Sequence, residues 1–451
     1  MPIEAVPPAP SSPHTATRTA PAQPGRWRQI SLLGGLLSVD NGESSVIPVL
    51  FPALRTALGL PLSALGALLS VAKMATVLCG PLWVVVAQRY PRKNVLAVCC
   101  GLWGVWTVAA GFAQNYWQLL ILITVAAAGI AGGGPLTNAL LADLFDDRTR
   151  GRAAGYLYGL AILGTGLAGP LLGGLADVKD GWRYGFFAMG GVQIAFGLLA
   201  LAFLRDPGVG ASEPQLAALK ARSRSAGALD RRRLRELARN RTLVLLCLQR
   251  LTTGQFVLLG FGVTFLVDVR GFSNAQASLT TLPVAVCFCL GTVLGGLTAD
   301  RVHRRFPRAG RIATMQADVL AYALIAAVAT QIPWKSLTVY FVLFGALSCV
   351  QGFMPGLNRP CLISAVVPEL RSAALSIMLS AEAAGWALTT LLAGYIGDAF
   401  GLQAAFLWLA VLLTLANGAL IGLLYRPSTR DAATVQQELD RRADHARTLD
   451  S

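Results

Sequence analysis

Charge is scarce in this sequence. Only 14% of its 451 residues are Asp, Glu, Lys or Arg, against about 25% in soluble proteins, and they gather between long apolar runs. Such a chain lacks the polar surface that soluble domains need. Histidine is scarcer still. His14, His303 and His445 all lie outside the apolar runs, which leaves no ligands for a zinc site and no intramembrane histidine relay. The eight cysteines (Cys79, Cys99, Cys100, Cys247, Cys287, Cys289, Cys349, Cys361) all fall inside apolar runs, where cysteine behaves as a small hydrophobe, so no disulfide framework is expected. There is no Gly-x-x-x-x-Gly-Lys-Ser/Thr loop, and no nucleophile–His–acid set can be assembled within the apolar runs. Neither ATP-driven chemistry nor an enzyme is therefore expected, and no cofactor or metal is required. The first 26 residues, rich in Pro, Ala, Ser and Thr, hold no apolar core, so a disordered cytoplasmic tail is expected there instead of a cleavable signal peptide.

What the chain does have is apolar sequence, 54% of its residues. At about 20 residues per membrane-spanning helix, this supplies on the order of twelve spans. They are placed at 30–54, 62–87, 94–112, 117–142, 153–176, 184–204, 242–267, 277–299, 312–332, 336–366, 372–397 and 403–425. Hydrocarbon cannot satisfy bare backbone groups, so runs this long are helices; barrel strands would need about 10 alternating residues. The predicted fold class is an all-α integral membrane protein. With both termini cytoplasmic, 31 of the 38 Lys and Arg residues fall on the cytoplasmic side and five (Arg55, Lys179, Arg183, Arg270, Lys335) outside. The positive-inside rule selects that topology. The net charge of +15 then reads as an insertion signal facing anionic lipid, with no nucleic-acid partner required.

An Arg-rich cytoplasmic linker at 205–241 separates 29–204 from 242–425, six spans each, with tails at 1–28 and 426–451. Three correspondences suggest an internal repeat: Gln88 to Lys93 against Asp300 to Arg305, Arg148 to Arg152 against Pro368 to Arg371, and Gly174 to Asp177 against Gly394 to Asp398. The predicted architecture is thus two pseudo-symmetric six-helix bundles. In such repeats the ligand site lies near the midplane, between the halves.

Gly296-Leu297-Thr298-Ala299-Asp300-Arg301 resembles the loop signature of the major facilitator superfamily, and the resemblance extends from about residue 28 to 425. In the first-half copy Val84 replaces the Gly and Gln88 the Asp, ahead of Arg89. The resemblance implies that Asp300 docks near Gly151 and Arg152 at the start of span 5. Gly169-Pro170-Leu171-Leu172-Gly173-Gly174 is similar to the span 5 signature of proton-coupled drug exporters in that superfamily; crowded spans are also Gly-rich for packing alone. Asp40 and the turn from Ala142 to Gly155 resemble the Spinster-type branch, which moves lysolipids and related amphiphiles. The Arg and Glu of that branch's span 4 are absent from Val125 to Gly134.

Charges inside the apolar runs need a partner, a wet cavity or a function. Asp40 and Glu43 lie one turn apart on span 1, so the two repel if both ionise, and at least one carries a proton near neutral pH. This makes them the candidate proton-coupling site. A structural pair of these acids with Lys73 of span 2 is the alternative. Arg250 of span 7 lies at nearly the depth of Asp40. By the family resemblance it faces the cavity together with Asn41, Gln255 and Gln351; the alternative is that it snorkels to the interface. Spans 2 and 11 meet in the superfamily, which makes Lys73 and Glu382 a candidate gate. Asp318 of span 9 reads as a structural charge near the surface. The expected function is proton-coupled secondary transport, export preferred, of a small amphiphilic or lipid-like solute across the inner membrane, by a monomer embedded in lipid. Proton-linked uptake of an organic anion, and a non-transporting sensor or lipid scramblase, remain as alternatives.

Overall fold

The computed structural model describes residues 25–145, 147–206, 237–307 and 309–449, which are helical with no strand among them. Most of the expected tail at 1–28 and of the linker at 205–241 lies outside the described residues. The chain runs through α1 (Arg26–Glu43), α2 (Val46–Leu58), α3 (Leu62–Arg89), α4 (Arg92–Ala110), α5 (Tyr116–Leu144), α6 (Asp147–Ala176) and α7 (Gly181–Phe203). It continues through α8 (Arg241–Leu251), α9 (Val257–Asp268), α10 (Asn274–Arg305), α11 (Gly310–Gln331), α12 (Leu337–Ser364), α13 (Arg371–Phe400), α14 (Leu402–Gly422) and α15 (Tyr425–Leu449). Eleven stretches among the described residues are long and apolar enough to cross a membrane, with α8 and α9 counted together. The α1–α2 stretch is not one of them, because Asp40-Asn41-Gly42-Glu43-Ser44-Ser45 interrupts its apolar sequence.

Small and polar residues stand where these helices open. Ser44 and Ser45 separate α1 from α2, α5 is interrupted at Ala131–Gly132, and Thr252 to Phe256 separate α8 from α9. At Gly254 a Cβ would lie 1.7 Å from the Leu409 carbonyl oxygen, so only glycine lets the opening press against α14. A π-helical turn at Val98–Leu102 bulges α4 beside Cys99 and Cys100; such turns concentrate at functional sites.

The hydrophobic core is divided unequally. Near the basic loops it forms two separate clusters, one drawn from residues 30–204 (Leu33, Leu96, Leu140, Leu157) and one from residues 237–424 (Leu246, Met315, Leu357, Met378). At the opposite ends a single cluster joins both parts of the chain, with Leu50, Phe51 and Leu65 packed alongside Phe261, Phe265 and Phe344. Polar ties repeat the pattern. Asp398 accepts the backbone N–H groups of Leu62 at 2.6 Å and Ser63 at 2.9 Å, capping α3 where Pro61 supplies no side-chain cap. Arg55 pairs with Asp268, and Asn274 donates to the Val49 carbonyl at 3.1 Å.

The span 5 glycines belong to the same closure. A Cβ at Gly169 would lie 1.9 Å from Thr281 Oγ1, and one at Gly173 1.8 Å from Ser278 Oγ, so α6 touches α10 through bare backbone. Gly174 faces open space, and Pro170 sits inside the helix. Towards the basic loops the two helices part, and a Cβ at Gly151, Gly155 or Gly159 would meet nothing within 4 Å. The expected docking of Asp300 beside Gly151 is accordingly not made: Asp300 and Arg301 are exposed, as are Gln88 and Arg89. Arg92 ties the basic-loop ends instead, bonding Asp143 and, at 2.8 Å, Asp206. Residues 426–449, expected only as a tail, belong to α15, whose Asp431 accepts the Thr242 N–H at 3.0 Å and its hydroxyl at 2.7 Å at the start of α8.

Asp398→Ala removes the cap on α3, an interaction of about 0.5–2 kcal/mol. It should lower the thermal midpoint of the purified protein and raise thiol labelling of a cysteine placed at Ser63. Unaltered labelling would show that the cap does not hold this end closed.

Candidate functional site

Two polar centres lie at two of the places where a long helix opens, the α1–α2 and α8–α9 breaks. The first surrounds the end of α1. Asp40 is 3% exposed, and its Oδ1 has no hydrogen-bond partner. Its Oδ2 faces Gly133 of α5, where a Cβ would lie 2.6 Å from Oδ2 and 2.7 Å from Cys100 Sγ. The glycine after the α5 interruption and the π-turn of α4 therefore make the room that the carboxylate occupies. Glu43, one turn on, is held differently: Thr107 of α4 donates its hydroxyl to one oxygen and Gln193 of α7 its amide to the other. The two acids interact electrostatically, yet Glu43 has a donor on each oxygen whereas Asp40 has only the Cys100 thiol beside it and a free Oδ1. Asn41 points away, exposed, and donates to the Leu37 carbonyl at 2.9 Å.

The second centre surrounds the opening between α8 and α9. Here the backbone groups freed by the break are taken up by side chains, as a membrane interior demands. Asn417 of α14 donates to the Gln249 carbonyl at 2.6 Å, Thr389 of α13 to that of Thr253 at 3.2 Å, and Tyr322 of α11 to that of Gln255 at 3.0 Å. Arg250 is 4% exposed and holds Glu382 of α13 through Nε and Nη2, both at 3.0 Å, while its Nη1 has no partner. It does not snorkel. Its guanidinium carbon stands 5.5 Å from the Phe256 ring centre, Phe256 stacks on Trp386 at 4.8 Å, and Lys73 Nζ of α3 stands 5.0 Å from the Trp386 ring. A ladder of cation, ring, ring and cation thus connects α3 to α8 through α13.

Glu382 is therefore directly bonded to Arg250 and not to Lys73, which reaches it only electrostatically and rests on Trp386. Asp40 faces Cys100 and Gly133 rather than Lys73. Gln255 and Gln351 are both buried, with Gln255 Nε2 and Gln351 Oε1 unpartnered. Asp318 is not the surface charge expected from its position in the sequence. It is 6% exposed, against Gln255, because α11 turns that face towards the α8–α9 opening. Among the described residues no three His, Cys, Asp or Glu side chains gather as metal ligands.

A sequence profile of the Major Facilitator Superfamily matches residues 32–360. The chain belongs to the Major Facilitator Superfamily. It is a multi-pass membrane protein of a transporter family, and not an enzyme. Relatives include a probable sulfoacetate transporter of Cupriavidus necator, 28% identical over 264 residues, which are 57% of this chain and 61% of that protein. An MFS-type efflux pump of Mycolicibacterium smegmatis is 27% identical over 349 residues, 75% of this chain and 77% of that one. In fold, the chain is similar to the crystal structure of a bacterial homologue of the human lysosomal transporter Spinster in an inward-facing, unoccupied conformation. The TM-score is 0.74 at 20% identity, covering 92% of this chain and 98% of that one.

Several members of the two centres were not singled out from sequence. Thr107, Gln193, Cys100 and Gly133 reach the α1 acids from three other helices of this superfamily member, and Phe256 and Trp386 read as ordinary core aromatics. A signal was present for the openings themselves: Ser44-Ser45, Gly132-Gly133-Gly134 and Thr252-Thr253-Gly254 are small or polar clusters inside apolar runs, which punctuate helices. Gly133→Val should displace the Asp40 carboxylate, since overpacking of this kind costs about 1–3 kcal/mol. The expected result is a folded, membrane-inserted protein with transport reduced at least tenfold in a reconstituted assay, whereas Gly134→Val, where a Cβ meets nothing, should be tolerated. Equal activity of the two variants would separate Gly133 from the acid site.

Proposed function

We propose that this chain is a proton-coupled secondary active transporter that moves a small, amphiphilic organic solute across the cytoplasmic membrane by alternating access, in the direction of export. On this reading, α1–α2 is the twelfth span, completing two six-helix bundles with both termini in the cytoplasm. The observation that carries it is Asp40, a deeply buried acid with an oxygen free of partners, beside the mid-helix opening of α1–α2. A carboxylate left ionised there without a counter-ion is strongly disfavoured, so it takes a proton and releases it when the surroundings open to water. Glu43 shares the site as the acid that orients the turn.

The one-sided core supports an inward-facing state for this structure. The apolar cluster shared by the halves lies towards the ends away from the basic loops, which favours a cavity opening towards the cytoplasm. The opposite state closes that side, where Asp300 meets the start of α6, while the contacts of Gly169 and Gly173 separate. Lys73 and Trp386 form the mid-depth contact between halves, and Glu382 gates it by its hold on Arg250. The efflux relative, matched over 75% of this chain, supports export. A second reading, uptake of an organic anion, is favoured by the free Nη1 of Arg250, whose planar fork suits carboxylates and sulfonates, and by the name of the sulfoacetate relative.

Protein reconstituted in vesicles and screened with lysolipids, dyes and sulfoacetate under an imposed pH gradient tests both readings. Asp40→Asn should abolish gradient-driven net transport and leave exchange of the same solute, because the amide keeps the shape and holds no transferable proton. Wild-type accumulation by that variant would move the coupling site elsewhere. Arg250→Lys should weaken uptake of anionic solutes by about tenfold, the effect of losing roughly 1.4 kcal/mol of recognition, and leave neutral ones unaffected. Equal loss for both classes would make Arg250 structural.

A further inference from the structure

Asp318 has no part in the mechanism above, yet its surroundings are unusual. Its Oδ2 has no hydrogen-bond partner, and it forms no ion pair among the described residues. It lies within electrostatic reach of the Arg250 guanidinium and against the Gln255 side chain, its polar neighbour at the α8–α9 opening. Arg250 Nη1 and Gln255 Nε2 are unpartnered as well. One cation therefore acts on two carboxylates, bonded to Glu382 through two nitrogens, within electrostatic reach of Asp318, and keeping a donor spare. The other titratable groups near Asp318 are the Tyr322 phenol, one turn on along α11, which donates to the Gln255 carbonyl, and the Cys349 thiol of α12; from the helix of Cys349, Arg359 acts on Arg250. Packed against α11, α14 contributes no titratable side chain, and α10 carries its charges only in its last turns, from Asp300 to Arg305.

Two acids flanking one guanidinium are balanced when one of them is protonated, and their titration belongs to the pair. We propose that Asp318 and Glu382 share a single proton across Arg250, which makes Asp318 a second proton-binding site separate from Asp40. In this structure Glu382 is the bonded carboxylate and Asp318 holds the proton. When Arg250 turns to Asp318, the O–H bond of Asp318 breaks, one forms on Glu382, and the summed charge of the three groups is unchanged. The Glu382 side chain is 31% exposed while Asp318 is buried, so the exchange carries the proton from a closed position to an open one.

An infrared pH titration of the full-length protein in phospholipid bilayers reads this without any transported solute, through the C=O stretch of protonated, buried carboxyl groups. The wild type should show a carboxylic-acid band that Asp318→Asn removes. Glu382→Gln should remove the same band, because Arg250 is then free to bind Asp318 and keep it ionised, whereas Asp40→Asn should retain it. Persistence of every band in Asp318→Asn would overturn the proposal, as would a band lost in Asp318→Asn and untouched in Glu382→Gln. Should the Asn variant not reach the membrane, Asp318→Glu keeps the acid and should displace the band; an unmoved band would equally overturn it. The outcome is independent of whether Asp40 drives transport.

Discussion

Among the described residues, the apolar cluster shared by the two parts of this chain lies towards one end, and the remaining features depend on that asymmetry. A single cluster joins Phe51 and Leu65 with Phe261 and Phe344, while the clusters around Leu140 and Met378 do not meet. Within a membrane there is no water to drive helices together, so close packing of small residues and satisfied polar groups decide which helices stay in contact. Gly169 and Gly173 provide the packing, and Asp398 and Asn274 provide the polar satisfaction. A contact built from bare backbone and a few caps is strong enough to hold one end and weak enough to be exchanged for another.

The breaks in α1–α2 and α8–α9 follow from the same constraint. An opened helix exposes backbone groups that hydrocarbon cannot satisfy, so each break must be surrounded by donors and acceptors from other helices. Around α8–α9 these are Asn417, Thr389 and Tyr322. The polar environment created to satisfy the backbone is also what admits Arg250, Glu382 and Asp318 into the interior. Around α1 the arrangement is sparser, with Glu43 held by two donors and Asp40 left with a free oxygen. The acid with an oxygen free of partners has the more variable protonation, and this is why Asp40, and not Glu43, bears the proposed coupling.

Much of the fold was legible in the residues, because hydrophobic length and loop charge act locally and additively. The span limits at 62–87 and 312–332 lie inside or within two residues of α3 and α11. The acids Asp40, Glu43 and Glu382 and the base Arg250 were legible for a related reason: a charge in an apolar run is conspicuous wherever it points. Partner choice was not legible. The sequence offered Lys73 as the mate of Glu382, and only the packing of α8 on α13 through Gly385, where a Cβ would lie 2.2 Å from the Arg250 carbonyl oxygen, puts Arg250 there instead. Asp318 was misjudged because periodicity does not say which face of a helix turns inward when both faces are apolar.

The sequence by itself determined that the chain is helical and membrane-spanning, that its basic loops gather on one side, and which charges it must keep inside. These follow from transfer energies and helix length, quantities that belong to each segment separately. The tertiary structure alone decided that the apolar cluster shared by the two parts of the chain lies away from those loops, that Thr107 and Gln193 lock both oxygens of Glu43 while one oxygen of Asp40 stays free, and that Arg250 bonds Glu382 within electrostatic reach of Asp318. Each of these depends on distances between helices far apart in the chain. Such distances are set by where glycine allows two backbones to touch, and that is a property of pairs of surfaces rather than of any single run of residues.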